Sequence, residues 1–213
     1  MKRVSFAFLL LLSLSFSARS QYIASSLGQW RDHLSYYRTH AVFATGNSVL
    51  VAAESSLFYF NKYTKETERF SKVNGLSDAG VGVTGYDPQT KATVITYDNS
   101  NIDILQNGKV YNISDIKVRS IEGSKSINDI YFYNSKAYLA CGFGIVVLDL
   151  DRKEIYDTYY VGKNNAKIAV NNIVINDTAI FAGTVEGLLY APKNSPALSA
   201  SETWKKFQSI GNT

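Results

Sequence analysis

Ala137-Tyr-Leu-Ala-Cys-Gly-Phe-Gly-Ile-Val-Val-Leu-Asp-Leu150 reads as a β-rich strand, a turn of small residues and a second β-rich strand. The chain repeats this plan in Val49-Leu-Val-Ala-Ala-Glu-Ser-Ser-Leu-Phe-Tyr-Phe60, in Ala92-Thr-Val-Ile-Thr-Tyr-Asp-Asn-Ser-Asn-Ile-Asp-Ile-Leu105 and in Ala179-Ile-Phe-Ala-Gly-Thr-Val-Glu-Gly-Leu-Leu-Tyr190. The starts at 49, 92, 137 and 179 are 43, 45 and 42 residues apart. Self-similarity at a period of ~40 to 50 residues is the signature of one propeller blade per repeat.

Each unit gains a strand before the quoted stretch, at 40–45, 81–86, 127–133 and 170–175. The joints Gly46-Asn47-Ser48, Asp87-Pro88-Gln89, Asn134-Ser135 and Asn176-Asp177-Thr178 have hairpin-turn chemistry. A further strand follows at 68–72, 109–113 (after the Asn107-Gly108 turn), 155–161 and 203–207, which leaves little room for helix. The expected class is therefore all-β, a β-propeller with about four four-stranded blades over 40–73, 79–115, 127–162 and 169–207. A β-sandwich offers no reason for whole four-strand units to resemble one another, and a β-helix has a shorter repeat. Propellers close with ~4 to 8 blades. Because the sequence stops soon after the fourth unit, an incomplete ring is expected. Within the N-terminal segment 21–39, residues 28–37 are expected as an outer strand that latches a last blade, since Gln29-Trp30-Arg31 echoes Thr203-Trp204-Lys205.

Residues 1–20 carry Lys2 and Arg3, an apolar run from Val4 to Phe16, and Ala18-Arg19-Ser20 before Gln21, the layout of a cleavable secretory signal peptide. The apolar run is shorter than the ~20 residues of a spanning helix, and no second candidate span follows, so no transmembrane segment is expected in the mature chain. Loss of Lys2, Arg3 and Arg19 takes the formal charge from +4 to +1, which gives no basic footprint for nucleic acid. The single Cys141 forms no intrachain disulfide and sits too deep in the chain to be a lipidated N-terminus, so stability must come from core burial.

Val73-Asn74-Gly75-Leu76-Ser77-Asp78, leading into strand 80–86, and the Gly142-Phe143-Gly144 turn resemble the propeller repeat of two-component regulators. Together with Leu27-Gly28-Gln29-Trp30-Arg31-Asp32-His33-Leu34-Ser35-Tyr36, they make the mature chain similar to the N-terminus of the PorZ family, surface components of the Bacteroidetes type IX secretion system. The resemblance implies a longer parent of two propellers and a C-terminal β-sandwich secretion domain, standing at the outer surface. It further implies anionic lipopolysaccharide as ligand and, as partner, the sortase that attaches it to secreted cargo. On this reading the chain is non-enzymatic, takes no cofactor and lies between periplasm and outer-membrane surface. Two other functions stay open: a ligand-sensing extracytoplasmic domain of a hybrid two-component regulator, and a polysaccharide-active lyase or hydrolase. Asp177-Thr178-Ala179 fits a short O-glycosylation pattern of the same bacterial phylum.

The residues assign no catalytic, cofactor or metal site, and the ligand-binding residues are unknown at this level. Gly80-Val-Gly-Val-Thr-Gly85 has the G-x-G-x-x-G spacing of dinucleotide sites but runs into the turn Tyr86-Asp87-Pro88 instead of a helix, so its glycines read as a crowded innermost strand. His33 and His40 are the only histidines, too few for a His-rich metal site. Cys141 reads as an inert buried thiol. Asp87, Asp98, Asp103, Asp129, Asp149 and Asp157 are spread over different units, and turn chemistry is expected to explain most of them. Tyr36-Tyr37 and Tyr159-Tyr160 are the obvious places for a sugar to stack, with blade packing as the competing use.

Overall fold

The computed structural model describes residues 38–208, which build four antiparallel four-stranded sheets with strands in chain order. Blade 1 holds β1 (Thr39–Thr45), β2 (Ser48–Ala53), β3 (Ser56–Asn61) and β4 (Thr67–Ser71); blade 2 holds β5 (Val81–Asp87), β6 (Ala92–Tyr97), β7 (Ile102–Gln106) and β8 (Lys109–Ile113). Blade 3 holds β9 (Ile127–Tyr133), β10 (Lys136–Cys141), β11 (Gly144–Asp149) and β12 (Glu154–Tyr159). Blade 4 holds β13 (Val170–Ile175), β14 (Ala179–Thr184), β15 (Gly187–Pro192) and β16 (Lys205–Lys206). The first strands β1, β5, β9 and β13 lie beside one another from blade to blade, so each blade radiates outward from its first strand, the all-β propeller arrangement. The expected signal peptide, the latch at 28–37 and His33 lie outside the described residues.

The blades adhere through their faces, because side chains alternate across a strand. Along β10, Ala137, Leu139 and Cys141 enter the core shared with blade 2, whereas Tyr138 and Ala140 enter the core shared with blade 4. Similarly, Val94 of β6 packs toward blade 3 and Ile95 toward blade 1. Buried on both sides, β6 is covered at every position, its Thr93 and Thr96 enclosed along with its apolar residues. Blades 1 and 4 have a neighbour on one side only among the described residues, and β13 alternates instead. Glycine permits the closest approach. A Cβ on Gly85 of β5 would lie 2.7 Å from the Phe132 ring of β9, which accounts for small residues in this innermost strand.

One end of every blade carries the turns that join its first strand to its second and its third to its fourth. Asn107 and Gly108 have φ of 52° and 71°, the paired left-handed conformation of a type I′ hairpin. Elsewhere at this end a carboxylate or amide folds the turn: Asn61 accepts the N–H groups of Tyr63 and Thr64, Asp87 those of Gln89 and Thr90, and Asp149 those of Asp151 and Arg152. The lysine four residues on, Lys65, Lys91 or Lys153, then takes a left-handed φ. The opposite end carries the inter-blade linkers. There Glu54, Asp98, Gly142 and Val185 each donate a backbone N–H to the carbonyl of the residue just before the blade's first strand, respectively Arg38, Gly80, Ser126 and Ala169.

Two elements differ from the sequence reading. A one-turn helix α1 (Asp115–Val118) opens the linker from blade 2 to blade 3. The last strand is two residues long rather than 203–207, because Ser201–Thr203 form a 3₁₀ turn that swings Trp204 into the core, where its indole N–H donates to the Leu198 carbonyl at 2.8 Å.

The inter-blade cores dictate a stability contrast. Leu139→Ala empties a fully enclosed site between blades 2 and 3 and is expected to cost about 2–5 kcal/mol. Val174→Ala, at a position 51% exposed on blade 4, is expected to stay within about 0.5 kcal/mol. Urea unfolding of the two variants measures the difference, and equal losses would contradict the packing described.

Candidate functional site

The segment Asn74-Gly75-Leu76-Ser77-Asp78 lies in the linker between blades 1 and 2, and four of its residues have a defined task. Asn74 accepts the Ser71 N–H and donates to the Arg69 carbonyl at 2.8 Å, which turns the chain out of β4. Leu76 is buried in the core between the two blades. The Ser77 N–H donates to Asp103 at 2.8 Å, and Asp78 turns inward.

Asp78 is the hub of a polar cluster with four side-chain donors. Its Oδ2 accepts Lys117 Nζ at 2.6 Å, Asn99 Nδ2 at 2.8 Å and Asn101 Nδ2 at 3.0 Å, and its Oδ1 accepts Lys72 Nζ at 3.2 Å. The Lys117 ammonium above all, then Asn99, Lys72 and Asn101, hold the carboxyl well below the usual carboxylate range against the opposing effect of burial. Beside it Asp103 of β7, fully enclosed, accepts the Tyr97 hydroxyl at 2.6 Å, the Ser77 N–H and Asn112 Nδ2 at 2.9 Å. Burial first, and then this hydrogen bond to a carboxylate, keep Tyr97 a neutral phenol. Lys125 closes the arrangement by donating to the carbonyls of Ile116 and Lys117 at the end of α1. The cluster thereby ties the first linker, the β6–β7 turn and the second linker to one carboxylate. A general acid needs its pKa raised; Asp78 is held charged by four donors, so the geometry fits a structural clamp.

The expected turn role of the aspartates is corrected at several positions. Asp87 and Asp149 do cap turns, but Asp103 is a buried acceptor. Asp129 accepts the Ile173 N–H at 3.2 Å across the boundary between blades 3 and 4. Asp98 does lie in a turn, between β6 and β7, and faces Gly80, whose Cβ, if present, would lie 2.5 Å from its Oδ2. Asp157 accepts the N–H of Thr158 within β12. Cys141 is fully enclosed in β10, and burial pushes its thiol up to about 12. His40 is exposed in β1, and no group of three or more His, Cys, Asp or Glu is placed to hold a metal among the described residues. Of the tyrosine pairs, Tyr36-Tyr37 lies outside the described residues; Tyr159 is buried with its ring 6.2 Å from that of Trp204, and Tyr160 is half-buried. Thr178 lies in the β13–β14 turn, its hydroxyl bonded to Asn176 at 3.1 Å.

Two of the concavities on the surface of the described residues combine aromatic and polar lining. One of about 350 Å³ beside Trp204 is edged by Lys163, Lys206, Glu186 and Glu202. The other, about 270 Å³, is a groove between blades 1 and 2 at the hairpin end. Tyr59, Phe70 and Tyr86 form its aromatic wall, and Thr45, Ser48, Glu68, Lys91 and Asn107 bring polar groups to it from several strands and turns. Tyr59 is fixed from both blades: its hydroxyl pairs with Thr93 Oγ1 at 3.0 Å, and its ring meets Phe70 edge-on at 6.0 Å. The sequence reading passed over this groove because its residues come from separate strands and turns, with no local motif.

Residues 49–205 match the family described as the N-terminal β-propeller domain of PorZ of the type IX secretion system. No curated protein matches the chain in sequence. Among solved structures, the chain is similar to PorZ of Porphyromonas gingivalis, described as an essential bacterial surface component of the type IX secretion system, with a TM-score of 0.75 and 27% identity over 85% of this chain and 24% of that one. It is also similar in fold to the extracellular domain of a B. thetaiotaomicron protein described as a one-component system (TM-score 0.63, 13% identity, 81% of this chain and 24% of that one) and to AztD of Citrobacter koseri (TM-score 0.55, 12% identity, 74% and 44%). The chain thus spans about a quarter of the length of PorZ.

The clamp has a pH signature. Because the folded state holds Asp78 below its ordinary pKa, its contribution is present at neutral pH and declines as pH falls below the unfolded carboxylate value of ~3.9 toward the lower folded one. Asp78→Asn is expected to cost about 2 kcal/mol at pH 7, with the gap from the parent protein narrowing below pH ~4. Urea unfolding at a series of pH values measures it; a gap independent of pH would contradict the clamp.

Proposed function

Since the chain belongs to the family of PorZ N-terminal β-propeller domains, we propose that it serves as a non-enzymatic surface component of the type IX secretion system. In this reading it binds anionic lipopolysaccharide and delivers it to the sortase machinery that modifies secreted cargo. The observation that carries the proposal is the family match over residues 49–205, within which the Asn74–Asp78 segment forms the clamped linker between blades 1 and 2. An extracytoplasmic, surface placement accords with the description of PorZ and with the signal-peptide layout of residues 1–20. Among the described residues, no helix is long and apolar enough to cross a membrane. The likeness to the one-component extracellular domain supports the fold alone at 13% identity.

Deletion of the gene is expected to abolish surface attachment of sortase-processed cargo and to leave unmodified cargo in the medium, read by fractionation and lipopolysaccharide immunoblotting. Cargo modified and attached as in the parent strain would overturn the proposal.

A further inference from the structure

The groove between blades 1 and 2 has a chemistry of its own, which rests on its lining and not on the family match that carries the secretion role. Its wall is aromatic where Tyr59, Phe70 and Tyr86 meet, and its rim is polar where Glu68, Lys91, Ser48 and Asn107 converge. Strands β2, β3 and β4 of blade 1 and strand β5 with the β5–β6 and β7–β8 turns of blade 2 hold these groups, so the groove exists only because the blades are packed. Tyr59 is immobilised by Thr93 and Phe70. In contrast, the Tyr86 hydroxyl, the Glu68 carboxylate, the Lys91 ammonium and the Asn107 amide make no hydrogen bond to the protein among the described residues. Turn residues elsewhere at this end, such as Asn61, Asp87 and Asp149, are spent on their own backbone.

The charge balance narrows the ligand. Glu68 and Lys91 bring one carboxylate and one ammonium to the same groove, which does not suit a phosphate dianion, a group that favours several cations or clustered backbone N–H donors. The polar rim likewise does not suit an acyl chain. A pyranose ring fits both features: its C–H face lies on an aromatic wall, while its hydroxyls donate to a carboxylate and accept from ammonium, amide and hydroxyl groups. We propose that this groove is a binding subsite for one neutral, hydroxyl-rich sugar unit of a glycan. Glu68 and Lys91 bond its hydroxyls, and Tyr86 covers its apolar face. The groove does so whether or not the chain serves type IX secretion.

The test is titration of the ¹⁵N-labelled protein with neutral trisaccharides of glucose, mannose and galactose, and separately with inorganic phosphate, following the amides of Lys91, Asn107 and Gly108 by NMR. At least one trisaccharide is expected to shift these amides at millimolar concentration, and phosphate is not. Tyr86→Ala and Glu68→Gln are each expected to weaken that binding about tenfold, while Tyr63→Ala, at a 75% exposed position outside the groove, leaves it unchanged. Circular dichroism melts confirm that the variants are folded. The proposal is overturned if no trisaccharide shifts the groove amides, if phosphate shifts them equally, or if folded Tyr86→Ala and Glu68→Gln bind as the parent does. Sugar binding here alongside normal cargo attachment in the deletion strain would remove the secretion role and retain the subsite.

Discussion

The structure depends on burial between neighbouring blades. A four-stranded sheet with apolar residues on both faces has no stable existence alone, because each face needs a second layer to exclude water. Leu139 and Tyr138, adjacent in β10, point into different cores, and each core is completed by a different sheet. The same requirement explains the crowded innermost strands, where Gly85 accepts the Phe132 ring at a distance that a Cβ would forbid. It also explains why β6 lacks the polar alternation of β13: one is covered twice, the other once.

Face packing fixes the angle between sheets but leaves the linkers to be placed, and a polar cluster does that for the second blade. Asp78 gathers donors from the first linker, the β6–β7 turn and α1, while Asp103 holds Tyr97 and Ser77 from the core side. Such a network is favourable only when its members are satisfied, since a buried carboxylate without donors is costly. The two ends of the blades consequently differ. At the linker end the polar groups consume one another; at the hairpin end the turns fold on their own backbone, and the space between Tyr59 and Tyr86 stays open to a ligand.

Much of the fold was legible along the chain because a blade is local. The 42 to 45 residue period, the Asn107-Gly108 hairpin and the alternation of single strands are all written within a few tens of residues. The candidate sites were much less so. The Asn74–Asp78 segment stood out as a family-like motif, yet its meaning required Lys117, 39 positions further on. Asp103 and Asp129 looked like turn residues by type and proved to be acceptors for groups brought in from other segments. Of the two uses open to Tyr159, blade packing matches its burial against Trp204, whereas the aromatic wall of the groove is made by half-buried Tyr59 and Tyr86 from two blades.

The sequence by itself determined the all-β class, the number of repeating units and the turns within each, because strand alternation and hairpin chemistry act between near neighbours. It also carried the family likeness now matched over residues 49–205. The tertiary structure alone decided which apolar face meets which, that Asp78 is a charged clamp rather than a turn cap, that Trp204 shortens the last strand, and that a groove opens between blades 1 and 2. Each of these rests on side chains from different blades or linkers, whose distances are set when the sheets pack and not by their separation along the chain.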